Sequence, residues 1–352
     1  MLPRLWLPSP ADAGAAGAVR HRRNLQRLLD VQATHARLHD RTVLARRMPF
    51  ARDADIRFFD GPHVYFVRNE GAAHADFAAA TYETIGQFAA QVPVSVTGLV
   101  HAPFASFDAA SILRKKTAEQ KLAAYGSADD RAIARAWKQS NGEKAALGTR
   151  MHAAIELYFN TGYVSRDPAI ETEMAQMLRF SAWLSAQGID VVRTEPTIWI
   201  RTRSGALLAG SVDCLARHRV TREWYVLDWK RTGSALDHAA EHRYGTGVVP
   251  PFDEINDRSV DHYSIQLCLY GRMLREYCVD NEPVIVPPEN LLIVRFHADA
   301  DDYQITRAAP YASLADELVD NHPRYLQLYF EHKAHEETEQ AWMRQAIELG
   351  VM

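Results

Sequence analysis

The segment Val226–Thr232, VLDWKRT, constrains this chain more than any other, because it ends an apolar run on an aspartate and a lysine. Residues 224–229 are dense in aromatic and β-branched side chains, as in a strand at the centre of a sheet covered on both faces. Side chains alternate along a strand, so Asp228 and Lys230 leave the same face, one after the other. Burying a carboxylate and an ammonium costs several kcal/mol per ion unless each finds a partner, a metal or water. A cation held by Asp228 and a phosphate held by Lys230 would meet both demands. A strand running out into solvent with a surface ion pair would meet them too. Asp-x-Lys alone occurs about once by chance in a chain of this length, so its surroundings decide.

Upstream, residues 207–215 (LLAGSVDCL) read as a second apolar strand, with Gly210 near its middle and Asp213 three residues on. A glycine there suits the close approach of another backbone or a ligand. The polar stretch 216–223 (ARHRVTRE) is turn-like, so the two strands predict an antiparallel hairpin that brings Asp213 beside Asp228. Two carboxylates on adjacent strands repel unless a cation lies between them, and an oxygen-rich site suits Mg²⁺ or Mn²⁺. The alternative leaves Asp213 as a residue that merely ends a strand.

Further upstream, residues 146–160 (ALGTRMHAAIELYFN) predict a helix with an apolar stripe of Leu147, Met151, Ile155, Tyr158 and Phe159. His152 and Glu156 stand four apart and share a face, as two metal ligands or as a helix-stabilising pair. Ser259–Cys278 predicts a second amphipathic helix, its apolar face carrying Ile265, Leu269, Met273 and Leu274. On its flank Gln266 and Tyr270 are again four apart, either reaching a phosphate backbone or a base, or satisfying hydrogen bonds in the core.

In order, the series is G-T-x-x-H-x-x-x-E, G-x-x-D, D-x-K, Q-x-x-x-Y. That series resembles the RecB-like branch of the PD-(D/E)XK nucleases, most closely the mitochondrial genome maintenance exonuclease and related viral exonucleases. Val92–Val100 (VPVSVTGLV) and the hairpin-like Ile56–Val67 (IRFFDGPHVYFV, with Asp60-Gly61 at its turn) resemble segments that precede the catalytic helix there. The resemblance spans Ile56–Phe296. It implies an α/β fold with a restriction-endonuclease-like core over residues 144–310, a central mixed sheet of Val191–Arg201, Leu207–Leu215, Glu223–Arg231 and Leu291–Phe296 flanked by helices. Residues 1–143 would form a largely helical extension arching over the nucleic acid, and residues 311–352 a C-terminal helical segment.

The resemblance assigns His152, Asp213, Asp228 and the backbone carbonyl of Trp229 as metal ligands, with Mg²⁺ or Mn²⁺ as the cofactor. Lys230 would assist the attacking water and stabilise charge on the phosphate, with Glu156 an accessory acid beside Asp213 and Asp228. Gln266 and Tyr270 would hold the strand, and Glu195, opening EPTIWI, would be an outer acid or a strand-edge residue. Some relatives carry an iron–sulfur cluster on four cysteines; Cys214, Cys268 and Cys278 are the only cysteines here, so none is expected. The implied function is a metal-dependent DNA exonuclease acting on single-stranded ends. The alternatives are a structure-specific endonuclease or RNase, or a catalytically silent nucleic-acid-binding relative.

A formal net charge of −4 requires any nucleic-acid footprint to be local. Two stretches offer one: Arg20–Arg47, a predicted helix rich in arginine, and the cluster Arg114, Lys115, Lys116. Each is equally a solvated helix face. His35 and His39 read as surface residues, and 332–349 as an outer charged amphipathic helix. No apolar run reaches membrane-spanning length, and three cysteines argue against a disulfide framework. A soluble intracellular protein is expected. Met1–Arg27 is Arg- and Ala-rich like a transit peptide, yet Pro3, Pro8 and Pro10 break the helix such a peptide needs. Residues 232–261 predict a loop beside the site.

Overall fold

The computed structural model describes residues 40–334, apart from 60, 91, 106, 108, 235, 240–244 and 333. The arginines of the predicted Arg20–Arg47 helix up to Arg37, His35, His39, the turn residue Asp60 and nearly all of 332–349 lie outside the described residues.

Short elements come first. Val43–Arg47 (α1) precedes an antiparallel hairpin of Ile56–Phe59 (β1) and Val64–Val67 (β2), as the sequence predicts. His74–Ala79 (α2), Val94–Ser95 (β3), Val96–His101 (α3), Ala109–Arg114 (α4) and Ala118–Tyr125 (α5) follow. Helix α6, Asp130–Thr161, is 32 residues long, capped by Asp129 and ended by Gly162 in the left-handed conformation. It runs straight through the boundary expected at 143, since no proline interrupts the helix formers between Asp129 and Gly162. No residue from 134 to 150 is buried; Ile133 is buried near the start, and Met151, Ala154, Ile155 and Leu157 toward the C-terminal end. Asn160 ties that end down, accepting from the Leu44 N–H at 2.9 Å and donating to Thr194 Oγ1 at 2.8 Å.

The core follows Glu171–Ala186 (α7): Ile189–Thr194 (β4), Thr197–Arg201 (β5), Leu207–Ser211 (β6), Cys214–His218 (β7), Trp224–Lys230 (β8), Ser259–Leu274 (α8), the minor hairpin Cys278–Val279 (β9) and Glu282–Pro283 (β10), then Leu291–Arg295 (β11), Gln304–Arg307 (β12) and Ala312–Asp320 (α9). The main sheet has the order β12-β11-β8-β7-β4, and a smaller one the order β3-β6-β5. β8 pairs antiparallel with β7 and parallel with β11; α8 lies in the crossover that a parallel pair requires. The fold is therefore α/β, with mixed sheets flanked by helices.

Alternation along β8 sorts its side chains into two cores. Val226 packs among Ile265, Leu269 and Met273 of α8. Leu227 and Trp229 pack among Met151, Ile155 and Phe180 of α6 and α7. Asp228 and Lys230 share the face of Val226, toward α8.

Two expected strands each prove to be two. Where the sequence predicts Val191–Arg201 and Leu207–Leu215 as single strands, the chain breaks at Glu195-Pro196 and again at Val212-Asp213. Pro196 has no N–H for a ladder, Glu195 adopts a left-handed φ of 48°, and the register slips between Val191 and Arg193. Both arms thus bend from one sheet into the other at the same level. The helix predicted to reach Cys278 ends at Leu274, and the Tyr277 hydroxyl beyond it donates to the Trp199 carbonyl at 3.1 Å.

Gly210 lies where another residue comes close. A Cβ there would stand 2.8 Å from Tyr270 Cε1 and 3.0 Å from Val96 Cγ2. Gly210→Ala is expected to cost about 1–3 kcal/mol by overpacking, read as a lower urea midpoint. No helix among the described residues is long and apolar enough to cross a membrane.

Candidate functional site

The bend gathers the chemistry. The Glu195 N–H donates to the Asp213 carbonyl at 3.1 Å and the Val212 N–H to the Pro196 carbonyl at 3.1 Å, so Glu195 and Asp213 sit side by side where the two sheets part. His152 enters from the buried C-terminal part of α6; burial of its neighbours Met151 and Ile155 against the sheet aims the ring at this edge. Its Nδ1 lies 3.5 Å from Asp213 Oδ1 and 3.6 Å from Glu195 Oε1. Its Nε2 donates to the Trp229 carbonyl at 3.0 Å. Ligand atoms of His152, Glu195 and Asp213 all fall within 4.8 Å of one another, so these three could hold a metal ion.

Asp228 adjoins this group without being part of it. The register pairs Cys214 with Leu227, which sets Asp213 at the level of Asp228, and Asp213 Oδ2 accepts from the Trp229 N–H at 2.6 Å. Asp228 is 1% exposed, yet neither of its carboxylate oxygens has a hydrogen-bond partner. Lys230 Nζ stands 2.6 Å from Asp228 Oδ2, an ion pair, and 4.7 Å from the Tyr263 ring centroid.

The charges are crowded and shielded from water. Burial pushes the Asp228 carboxyl up to about 6 against the pull of Lys230, with the charge of Asp213 adding to the rise. Burial also raises Asp213, partly offset by His152. Burial disfavours charge on His152, but Asp213 and Glu195 outweigh it and hold the imidazole at about 9. Lys230 likewise stays above its ordinary value, the two aspartates overcoming its burial. Such a cluster carries more acid than its own lysine and histidine neutralise in comfort.

Other predicted site residues fall around this centre. Glu156 pairs with Arg41 at 3.3 Å and is not in the group that could hold a metal, although it shares a helix face with His152. Gln266 Nε2 donates to the Tyr270 hydroxyl at 3.1 Å, and Tyr270 is buried, packed over Gly210. Burial pushes its phenol well above the usual range. Arg114 and Lys115 are exposed at the end of α4, and Lys116 is half-buried with its Nζ 6.0 Å from the Tyr125 ring centroid.

Sequence reasoning missed Tyr65. The β1–β2 hairpin docks it against Leu207 and Ala209, with its hydroxyl 3.4 Å from Ser211 Oγ. Burial raises its phenol, and the charges of Glu195 and Asp213 add to that rise, so it borders the acid cluster. The hairpin is visible in the sequence; which of its side chains meets the site depends on docking.

No family model matches the chain, and no curated protein does. Among solved structures 17 chains match. One, described as the crystal structure of SSO0001, is 14% identical, covers 67% of this chain and 76% of its own, and superposes with a TM-score of 0.30.

Proposed function

We propose that this protein is a metal-dependent nuclease with a restriction-endonuclease-like core, acting as an exonuclease on single-stranded DNA. The observation that carries this reading is the Asp228 carboxylate: 1% exposed, without a hydrogen-bond partner, and set beside Lys230 and Asp213. Burying Asp228 and Asp213 side by side is costly, the Lys230 ammonium neutralises only one of them, and a metal cation is what would relieve the remainder. The helix α6, the antiparallel run β4-β7-β8, the crossover helix α8 and the parallel strand β11 support the core that the sequence resemblance implies.

The donor types fit a hard divalent ion: the Asp213 and Glu195 carboxylates and the His152 imidazole lie together, with Asp228 adjoining them, while the Trp229 carbonyl expected as a ligand instead accepts from His152 Nε2. Mg²⁺ or Mn²⁺ held there would lower the pKa of a water and offset charge on a phosphate oxygen. The chain supplies the rest. Asp228 and Asp213 keep Lys230 protonated, so its ammonium can stabilise negative charge building on the phosphate. The Trp229 backbone carbonyl accepts from His152 Nε2 and so fixes the orientation of the imidazole. Gln266 holds the Tyr270 hydroxyl in one orientation.

End-labelled linear single-stranded DNA and a circle of the same sequence test the reading. The linear strand is expected to be shortened with Mg²⁺ or Mn²⁺, to survive in EDTA, and the circle to resist. Equal cleavage of both would move the protein to the endonuclease reading. No cleavage with either ion would overturn the proposal.

A further inference from the structure

The exposed half of α6 carries a second feature that the acid cluster does not use. A cavity of about 340 Å³ lies between α4, α5 and α6, lined by Phe107, Ile112, Tyr125, Trp137, Asn141 and Lys144. Its aromatic rings meet edge to face: Phe107 and Trp137 have centroids 5.8 Å apart, Tyr125 and Trp137 5.1 Å apart. Phe107 is 63% exposed. An aromatic ring left this open beside the half-buried Tyr125 and Trp137 offers flat apolar surface to a planar partner.

The charge around the cavity names the partner. From residue 112 to 150 there are nine lysines and arginines against four acids, in a chain whose net charge is −4. Lys144 lines the cavity itself, and Lys116 lies over Tyr125. Flat aromatic walls with cations at the rim are what an unpaired nucleobase and its phosphates need: the base stacks, and the ammonium groups meet the backbone. Asn141 adds a carboxamide able to donate to and accept from a base edge.

Helix geometry connects the cavity to the acid cluster. Trp137 and His152 are 15 residues apart in α6, about 22 Å along the axis and within about 60° around it. A strand lying along that face would place a base in the cavity about six stacked nucleotides from the cluster.

We infer that this cavity is a stacking subsite for an unpaired base of a single-stranded nucleic acid, gripping the strand at a distance from the acid cluster. The inference rests on the single-strand reading above. A duplex, whose bases already stack on one another, does not fill it.

The test uses the full chain in EDTA, so that cleavage is not required. Fluorescein-labelled dT20 is titrated by anisotropy against the wild-type protein and Phe107→Ala, with a dA20·dT20 duplex alongside. Phe107 is exposed, so its removal spares the core. Loss of one stacking wall is expected to weaken dT20 binding roughly tenfold and to leave any duplex binding alone. A 5-iodouracil-substituted strand is expected to photocrosslink to the peptide bearing Tyr125 or Trp137. An unchanged dT20 affinity in Phe107→Ala, an equal loss for the duplex, or crosslinks confined to other peptides would each overturn the subsite. A wild-type protein that crosslinks here but cleaves nothing with Mg²⁺ would keep the subsite and refute the nuclease. Cleavage that is intact in a protein with no crosslink here would do the reverse.

Discussion

Asp228→Asn is expected to lower the rate of DNA cleavage by at least about 10³-fold, since several kcal/mol of transition-state stabilisation depend on the cation it would hold. The fold should survive. Asparagine has nearly the same volume, and although Lys230 loses its 2.6 Å ion partner, Asp213 remains beside it, so only a modest fall in thermal midpoint is expected. A cooperative thermal transition well above the assay temperature, together with lost turnover, separates a site defect from unfolding. Full turnover in a protein of unchanged stability would remove Asp228 from the chemistry.

Lys230→Ala separates rate from affinity. The ammonium lies 2.6 Å from Asp228 and against the Tyr263 ring, with its side chain 17% exposed, at the end of β8 rather than on an open surface. Its loss is expected to reduce the rate by about 10²–10³-fold, the scale of removing one preorganised donor from a developing anion. Binding of dT20 should change by less than about threefold, because strand affinity is spread over many phosphate contacts. The variant leaves Asp228 without its ion pair, so a lower melting temperature is expected as well, and both measurements belong well below it. A normal rate would make Lys230 only a counter-charge for Asp228.

The parts of this fold that are legible in the sequence are those set by local periodicity. A dense run of aromatic and β-branched residues marks β8, the turn-like 216–223 marks its hairpin with β7, and the 3.6-residue stripe of Ile265, Leu269 and Met273 marks α8. The same rules place Asp213 next to Asp228 and put Lys230 on the face of Asp228. What they do not carry is long-range geometry. Glu195 reaches His152 only because a left-handed residue, a proline and a register slip bend two strands together; the signal in the sequence is no more than Glu-Pro between two apolar runs. Glu156 stands on the correct helix face, yet Arg41, more than a hundred residues away in sequence, takes its carboxylate. The aromatic cavity joins Phe107, Tyr125 and Trp137 from three separate segments, and no periodicity links them.

Titration of the wild-type protein and of Asp228→Asn with Mn²⁺, followed by calorimetry, tests the cation site most directly. The wild type is expected to bind Mn²⁺ saturably, with binding abolished by EDTA and lost or greatly weakened in Asp228→Asn. No binding by the wild type at millimolar Mn²⁺, or superimposable isotherms for the two proteins, would contradict a cation at this cluster.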